Sequence, residues 1–167
     1  MNMFRTGYAF IFLGCATLTA ISFYFQYALY LDPCPLCVVQ RIIVIVIGIT
    51  AVMAVLHNPL SRGGKLPYCC LGLCFSLFGS AIATRHVYLQ SLPVDQIPEC
   101  LPGIEFILQN NPLIDALSII LAGTGECAET LWEFMGISIP GWTLIAFCVF
   151  AAIQIVLLIK IRRHGSV

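Results

Sequence analysis

Leu31 to Leu56 reads LDPCPLCVVQRIIVIVIGITAVMAVL, and the run from Val38 onward decides the fold. A helix rising 1.5 Å per residue crosses a hydrocarbon core of roughly 30 Å in about 20 residues, and Val38 to Leu56 supplies that length with Arg41 as its one charged residue. Three further windows are comparable: Tyr8 to Leu31, Leu66 to Tyr88 and Trp142 to Ile161. All are near-continuous apolar runs rather than the alternating pattern of barrel strands. Only helices or closed barrels satisfy their backbone in lipid, so four spanning helices are predicted.

The whole composition agrees. Of 167 residues, 60% are hydrophobic and 10% charged, and mean hydropathy is +0.97. These proportions exclude an ordinary soluble domain. The expected fold is an all-α membrane protein, a single four-helix transmembrane domain over residues 1–167. The first window resembles a signal peptide, and Leu13-Gly14-Cys15 looks like part of a lipoprotein cleavage site. Its apolar sequence nevertheless continues to Leu31, beyond the 7–15 residues typical of a removable segment. An uncleaved first span is expected.

Charge orients the bundle, because Lys and Arg in short loops favour the cytoplasmic side. Arg5, Arg62, Lys65, Lys160, Arg162 and Arg163 fall at the two termini and the turn between the second and third spans. The other two connections, about 32–37 and 89–141, hold every acidic residue: Asp32, Asp95, Glu99, Glu105, Asp115, Glu126, Glu129 and Glu133. Both termini are expected in the cytoplasm. Formal net charge is zero, and no basic patch suggests nucleic acid as a partner.

The same division sorts the nine cysteines. Cys15, Cys69, Cys70, Cys74 and Cys148 lie within or at the cytoplasmic ends of spans, where a thiol acts as a small hydrophobe. Cys34, Cys37, Cys100 and Cys127 lie in the two external segments. Disulfides persist on that oxidising side, and four cysteines allow three pairings that sequence does not rank. A zinc site would need two ligands beyond Cys34 and Cys37, which Cys100 and Cys127 could supply, but thiols facing an oxidising compartment tend to pair. No metal is expected.

Cys34-Pro35-Leu36-Cys37 can close only a small, strained ring, and strained disulfides exchange readily. Cys37 precedes the second span, where the helix N-terminus favours a thiolate. Arg41 lies one turn further on the same face and can support that thiolate or an anionic acceptor. Cys100, between Pro98 and Pro102, reads as an exposed loop cysteine. NPLIDALSIILAGTG, from Asn111, predicts a short membrane-surface helix capped by Asn111, with Pro112 at its first position and Gly123 near its end; it would hold Cys127 close to the bilayer. His86, toward the outer end of the third span, reads by residue type as a packed or hydrogen-bonded side chain.

Three stretches together are diagnostic: PCPLCVVQR (33–41), PEC (98–100) and GTGECAETLWEFMGISIPGW (123–142). With four spans around them, the chain resembles the disulfide bond formation protein B family of bacterial inner-membrane thiol:quinone oxidoreductases. The resemblance covers almost the whole sequence. It implies that Cys100 and Cys127 form the disulfide facing a periplasmic DsbA-type thiol oxidant, which attacks at Cys100. Cys127, once released, would attack at Cys34 and free Cys37. It further implies ubiquinone or menaquinone as the electron acceptor, with Arg41 and His86 as quinone-site residues and Gln40 as a weaker neighbour.

Competing readings explain less. A vitamin K epoxide reductase type would carry its quinone-side CxxC near a late span. A structural tetraspan stapled by disulfides leaves the helix-capping CxxC and Arg41 without a purpose. A transporter would show more intramembrane polar residues than Gln26, Gln154 and scattered Ser and Thr.

Overall fold

The computed structural model describes residues 3–98 and 104–164. The chain runs through α1 (Met3–Ala28), α2 (Pro35–His57) and α3 (Arg62–Gln90), then two short helices, α4 (Ile104–Asn110) and α5 (Leu113–Ala122). A hairpin of β1 (Glu133–Phe134) and β2 (Ile137–Ser138) leads into α6 (Ile139–His164). Among the described residues α1, α2, α3 and α6 are long and apolar enough to cross a membrane. The four predicted windows fall on these four helices, and the protein is a multi-pass, all-α membrane protein.

The helices overrun the apolar windows at most ends, because intrahelical hydrogen bonding continues past the hydrocarbon. The exception is α1, which stops at Ala28 rather than Leu31. Tyr30 enters the left-handed region with φ of 54°, and the Leu31 amide turns back to the Phe25 carbonyl at 3.1 Å. Asp32-Pro33 then carries the chain to α2, where Pro35 occupies the first turn and Cys34 is the N-cap. Proline suits that position, since its missing N–H would be unpaired anyway.

Packing within the bundle is uneven. α3 lies along α6, and α2 packs between α1 and α3, whereas α1 and α6 meet over a short length. Small residues set this pattern, as at other membrane helix contacts. A Cβ on Gly79 of α3 would sit 2.6 Å from the Phe147 ring of α6, and one on Gly14 of α1 would sit 2.9 Å from Phe150. Gly14 and Gly7 therefore let α1 touch α6 in its first half. Beyond Cys15, α1 carries Leu18, Ser22 and Phe25 toward the same region, and the two helices part. Outward-facing Phe10, Ile42, Ile49, Met53, Leu56 and Leu77 are exposed, as residues facing lipid would be.

The long connection is more structured than its breakers suggested. α4 was not foreseen, and α5 begins one residue later than expected. Pro112, not Asn111, is the cap of α5, because the Asn111 amide donates to the Ile107 carbonyl at 3.0 Å and closes the end of α4 instead. α5 buries Ala116 and Ile120 and leaves Leu113 and Ile114 about four-fifths exposed, at 77% and 82%. It is too short to span and turns an apolar edge outward.

Candidate functional site

Both structured external connections converge on the start of α2. Cys34 caps that helix, its sulfur accepting the Cys37 amide at 3.4 Å. The Cys34 and Cys37 sulfurs are 3.0 Å apart, about 1 Å longer than a disulfide bond. Both are thiols, in a turn that needs little movement to close.

Cys127 is 93 positions from Cys34 in sequence yet faces it. Gly123 makes this possible: it ends α5 at φ of 84°, and a Cβ there would lie 2.3 Å from Leu89 and 3.2 Å from Leu36. Without a side chain at that point, the chain closes over fully buried Leu36 and Leu89 and enters the 3-10 turn Gly125–Cys127. The Cys127 thiol is then fully buried against the Cys34 thiol and the backbone of Leu36 and Thr124. Its Cys34 neighbour and then burial push the Cys127 thiol up. At Cys34 the Cys127 thiol acts in the opposite direction, but Cys37 and burial outweigh it, and the group is pushed up to about 12. Both thiols are protonated at neutral pH.

His86 approaches the same sulfur from α3. Its ring is 2% exposed, with Nε2 3.6 Å from Cys34 Sγ and Nδ1 3.0 Å from the Gln40 amide nitrogen. That amide nitrogen can only donate, so Nδ1 accepts and the ring proton is on Nε2, which Cys34 Sγ shares with the Cys127 backbone. One donor atom from each of Cys34, Cys37 and His86 lies within 4.8 Å of the others.

Cys37 also lines, together with Arg41, a cavity of about 370 Å³ where α1 and α6 part. Its walls include Leu18, Ser22, Phe25, Gln40 and Val44. Arg41 is held on the α1 wall, with Nε donating to Ser22 Oγ at 2.7 Å and Nη1 donating to Gln26 Oε1. Its guanidinium lies 4.9 Å from the centre of the Phe23 ring. The hairpin forms the cavity's aromatic mouth: Trp132 lies 5.0 Å from Phe25 and stacks on Phe134 at 5.9 Å. Met135 and Gly136, both at positive φ, form the tight turn that brings Trp132 and Phe134 there.

The predicted residues therefore meet at Cys37. Cys34, Cys37 and His86 form one cluster with Cys127 against Cys34, and Cys37 also shares the cavity wall with Arg41. His86 does not line the cavity. Cys100 lies outside the described residues. Arg85, adjacent to His86, donates through Nε and Nη2 to the Ala122 carbonyl at 3.2 and 2.9 Å, completing the C-terminus of α5.

Sequence reading missed Ser22 as Arg41's partner and treated Gln26 only as a stray polar residue. Their signal was present, since two polar residues four apart share one face of an otherwise apolar helix. The hairpin was likewise announced by Met-Gly between Glu-Phe and Ile-Ser.

The family model described as disulfide bond formation protein DsbB matches residues 4–157. A disulfide bond formation protein B from Hahella chejuensis is 49% identical over 149 residues, 89% of this chain and 90% of the relative. Proteins of the same name from Nitrosococcus oceani and Saccharophagus degradans are 49% and 42% identical, covering 86% and 91% of this chain and the same shares of their own lengths. With a close thiol pair at a membrane helix end and a third thiol against it, this chain belongs to the disulfide bond formation protein DsbB family.

Proposed function

We propose that this protein is a quinone-dependent oxidase of a periplasmic DsbA-type dithiol partner, set in the bacterial inner membrane with both termini cytoplasmic. The observation that carries this reading is the shared wall of the cavity, where Cys37 and Arg41 meet an apolar and aromatic chamber. Pockets for small ligands commonly measure about 300–1,000 Å³ and combine apolar walls with a few polar points. The residues here fit a planar, lipid-soluble ring: Trp132, Phe134 and Phe25 offer aromatic surface, and Arg41 and Gln40 offer hydrogen-bond donors. A bound ubiquinone or menaquinone supplies a two-electron, two-proton acceptor.

This chain's residues do the rest. Cys100, paired with Cys127, receives the partner's thiolate, and the S–S bond breaks to leave Cys127 as the departing sulfur. Cys127 then attacks Cys34, which it already faces, so that one S–S bond forms as the Cys34–Cys37 bond breaks. Cys37 is left as the reduced sulfur on the cavity wall. Arg41, fixed by Ser22 and Gln26, stabilises negative charge there. His86 is assigned to Cys34 rather than to the quinone, its Nε2–H stabilising that sulfur as a leaving or attacking thiolate. The partner's second thiol then attacks its own sulfur bound to Cys100 and leaves oxidised, Cys100 attacks Cys127 to restore their disulfide and free Cys34, and Cys34 closes on Cys37 as two electrons and two protons pass to the acceptor.

The test is quinone reduction by the purified protein with reduced partner, comparing wild type with Cys37→Ser, Cys100→Ser and Arg41→Ala. Turnover in wild type, none in either serine variant and weakened quinone use in Arg41→Ala is the expected pattern. Full activity in Cys37→Ser, or no turnover with either quinone class, overturns it.

A further inference from the structure

We propose that the fully reduced chain is a zinc site, with Cys34, Cys37 and His86, whose donor atoms already lie within 4.8 Å of one another, as ligands and Cys127, which meets Cys34 and must close on the other two, as the fourth. Structural zinc is held tetrahedrally by Cys and His sets that include Cys₃His, often with one pair in C-x₂-C spacing. Cys34 and Cys37 have that spacing. Bonds of about 2.3 Å to sulfur and 2.0–2.1 Å to nitrogen place tetrahedral ligand sulfurs about 3.7 Å apart, and a sulfur and a nitrogen about 3.6 Å apart. Cys34 Sγ and His86 Nε2 are already 3.6 Å apart. The two CxxC sulfurs, now 3.0 Å apart, need to open by about 0.7 Å, which a modest χ1 rotation provides.

The surroundings suit an ion. Gln40 can serve either histidine tautomer: with its carbonyl toward Nδ1, the ring proton moves to Nδ1 and Nε2 presents a lone pair. That is the outer support usual for a metal-bound histidine. Zinc with three thiolates carries one net negative charge, which the α2 N-terminus favours. Burial of Cys34, His86 and Cys127 keeps competing water away. Binding releases three thiol protons to solvent and moves no electrons. Its consequence is inhibition, because sulfurs bound to zinc do not re-form the Cys34–Cys37 disulfide.

The inference depends on the reduced thiols and not on the quinone, so the test contains neither quinone nor partner. A variant with Cys15, Cys69, Cys70, Cys74, Cys100 and Cys148 replaced is reduced anaerobically in detergent and titrated with Co²⁺, then with Zn²⁺. One Co²⁺ per chain with tetrahedral d–d and thiolate charge-transfer bands is expected, and Zn²⁺ should bleach both. The same protein with its Cys34–Cys37 disulfide formed should bind none. His86→Gln, which preserves a side chain for Gln40 to meet, should lose the tetrahedral bands, and Cys127→Ser should weaken the charge-transfer band. Gln40→Leu should lower affinity about 10- to 100-fold. Circular dichroism checks that each variant retains its helices. No tetrahedral band in the reduced protein, or an unchanged band in folded His86→Gln, overturns the site; an unchanged spectrum in Cys127→Ser removes the fourth ligand.

Discussion

Cys34 and Cys37 belong to one turn of chain, yet they occupy different environments. Cys34 is 6% exposed and surrounded by protein groups, Cys127 and His86 among them. Cys37 is half-buried and looks into a chamber. The difference follows from one feature of helix starts: the N-cap lies outside the helical screw, while a residue three positions later lies within it. A C-x-x-C motif at a helix entrance can thus present one sulfur to another protein sulfur and the other to a small acceptor.

The sharpest way to break this contrast is Cys37→Ser, which should reduce quinone reduction to the uncatalysed background while leaving the Cys34 thiolate able to attack the Cys100–Cys127 disulfide at Cys127, forming Cys34–Cys127 and releasing Cys100. Trapping that species on a non-reducing gel checks the assignment; its absence, with activity retained, would reverse the roles of the two sulfurs. Arg41→Ala comes next. Losing a charged hydrogen-bonding group should raise the KM for quinone by about 10- to 100-fold, whereas exchange between Cys127 and Cys34 should be unaffected. Steady-state kinetics with varied quinone, set beside single-turnover thiol exchange, separates the two.

A third comparison uses pH. Thiolate is the reactive form, and Cys34 is pushed up to about 12, with Cys127 raised as well. Below that range each pH unit should increase the thiolate fraction, and hence the alkylation rate of Cys34, about tenfold. A small maleimide applied between pH 6 and 9 to a reduced variant retaining Cys34 measures this slope; a flat profile would contradict it. The smallest effect is expected from Ser22→Ala. Removing one neutral partner of the Arg41 guanidinium should raise the quinone KM roughly three- to tenfold, with the helices unchanged by circular dichroism.

Much of this molecule was legible in its sequence for identifiable reasons. Span length and hydropathy follow from bilayer thickness, so four helices could be placed to within a few residues. The CxxC and Arg41 are separated by one helical turn, so a shared face could be read without coordinates. Azimuth is different. Whether His86 points at the chamber or at Cys34 depends on how α3 is rotated against α2, and many apolar sequences permit either. The approach of Cys127 to Cys34 depends on two short helices and on Gly123 admitting Leu36 and Leu89, contacts between residues far apart in the chain. Asn111 illustrates a local version: its side chain could close the preceding helix or cap the next, and sequence weighted only the second.

The glycines of α1 bear on how such a molecule can vary. Gly7 and Gly14 let that helix touch α6, and further along Leu18, Ser22 and Phe25 line the cavity instead. One wall of the chamber therefore belongs to a helix that carries none of the paired sulfurs. Substitutions at Leu18 or Phe25 can retune which guest enters while Ser22 and Gln26 keep their hold on Arg41.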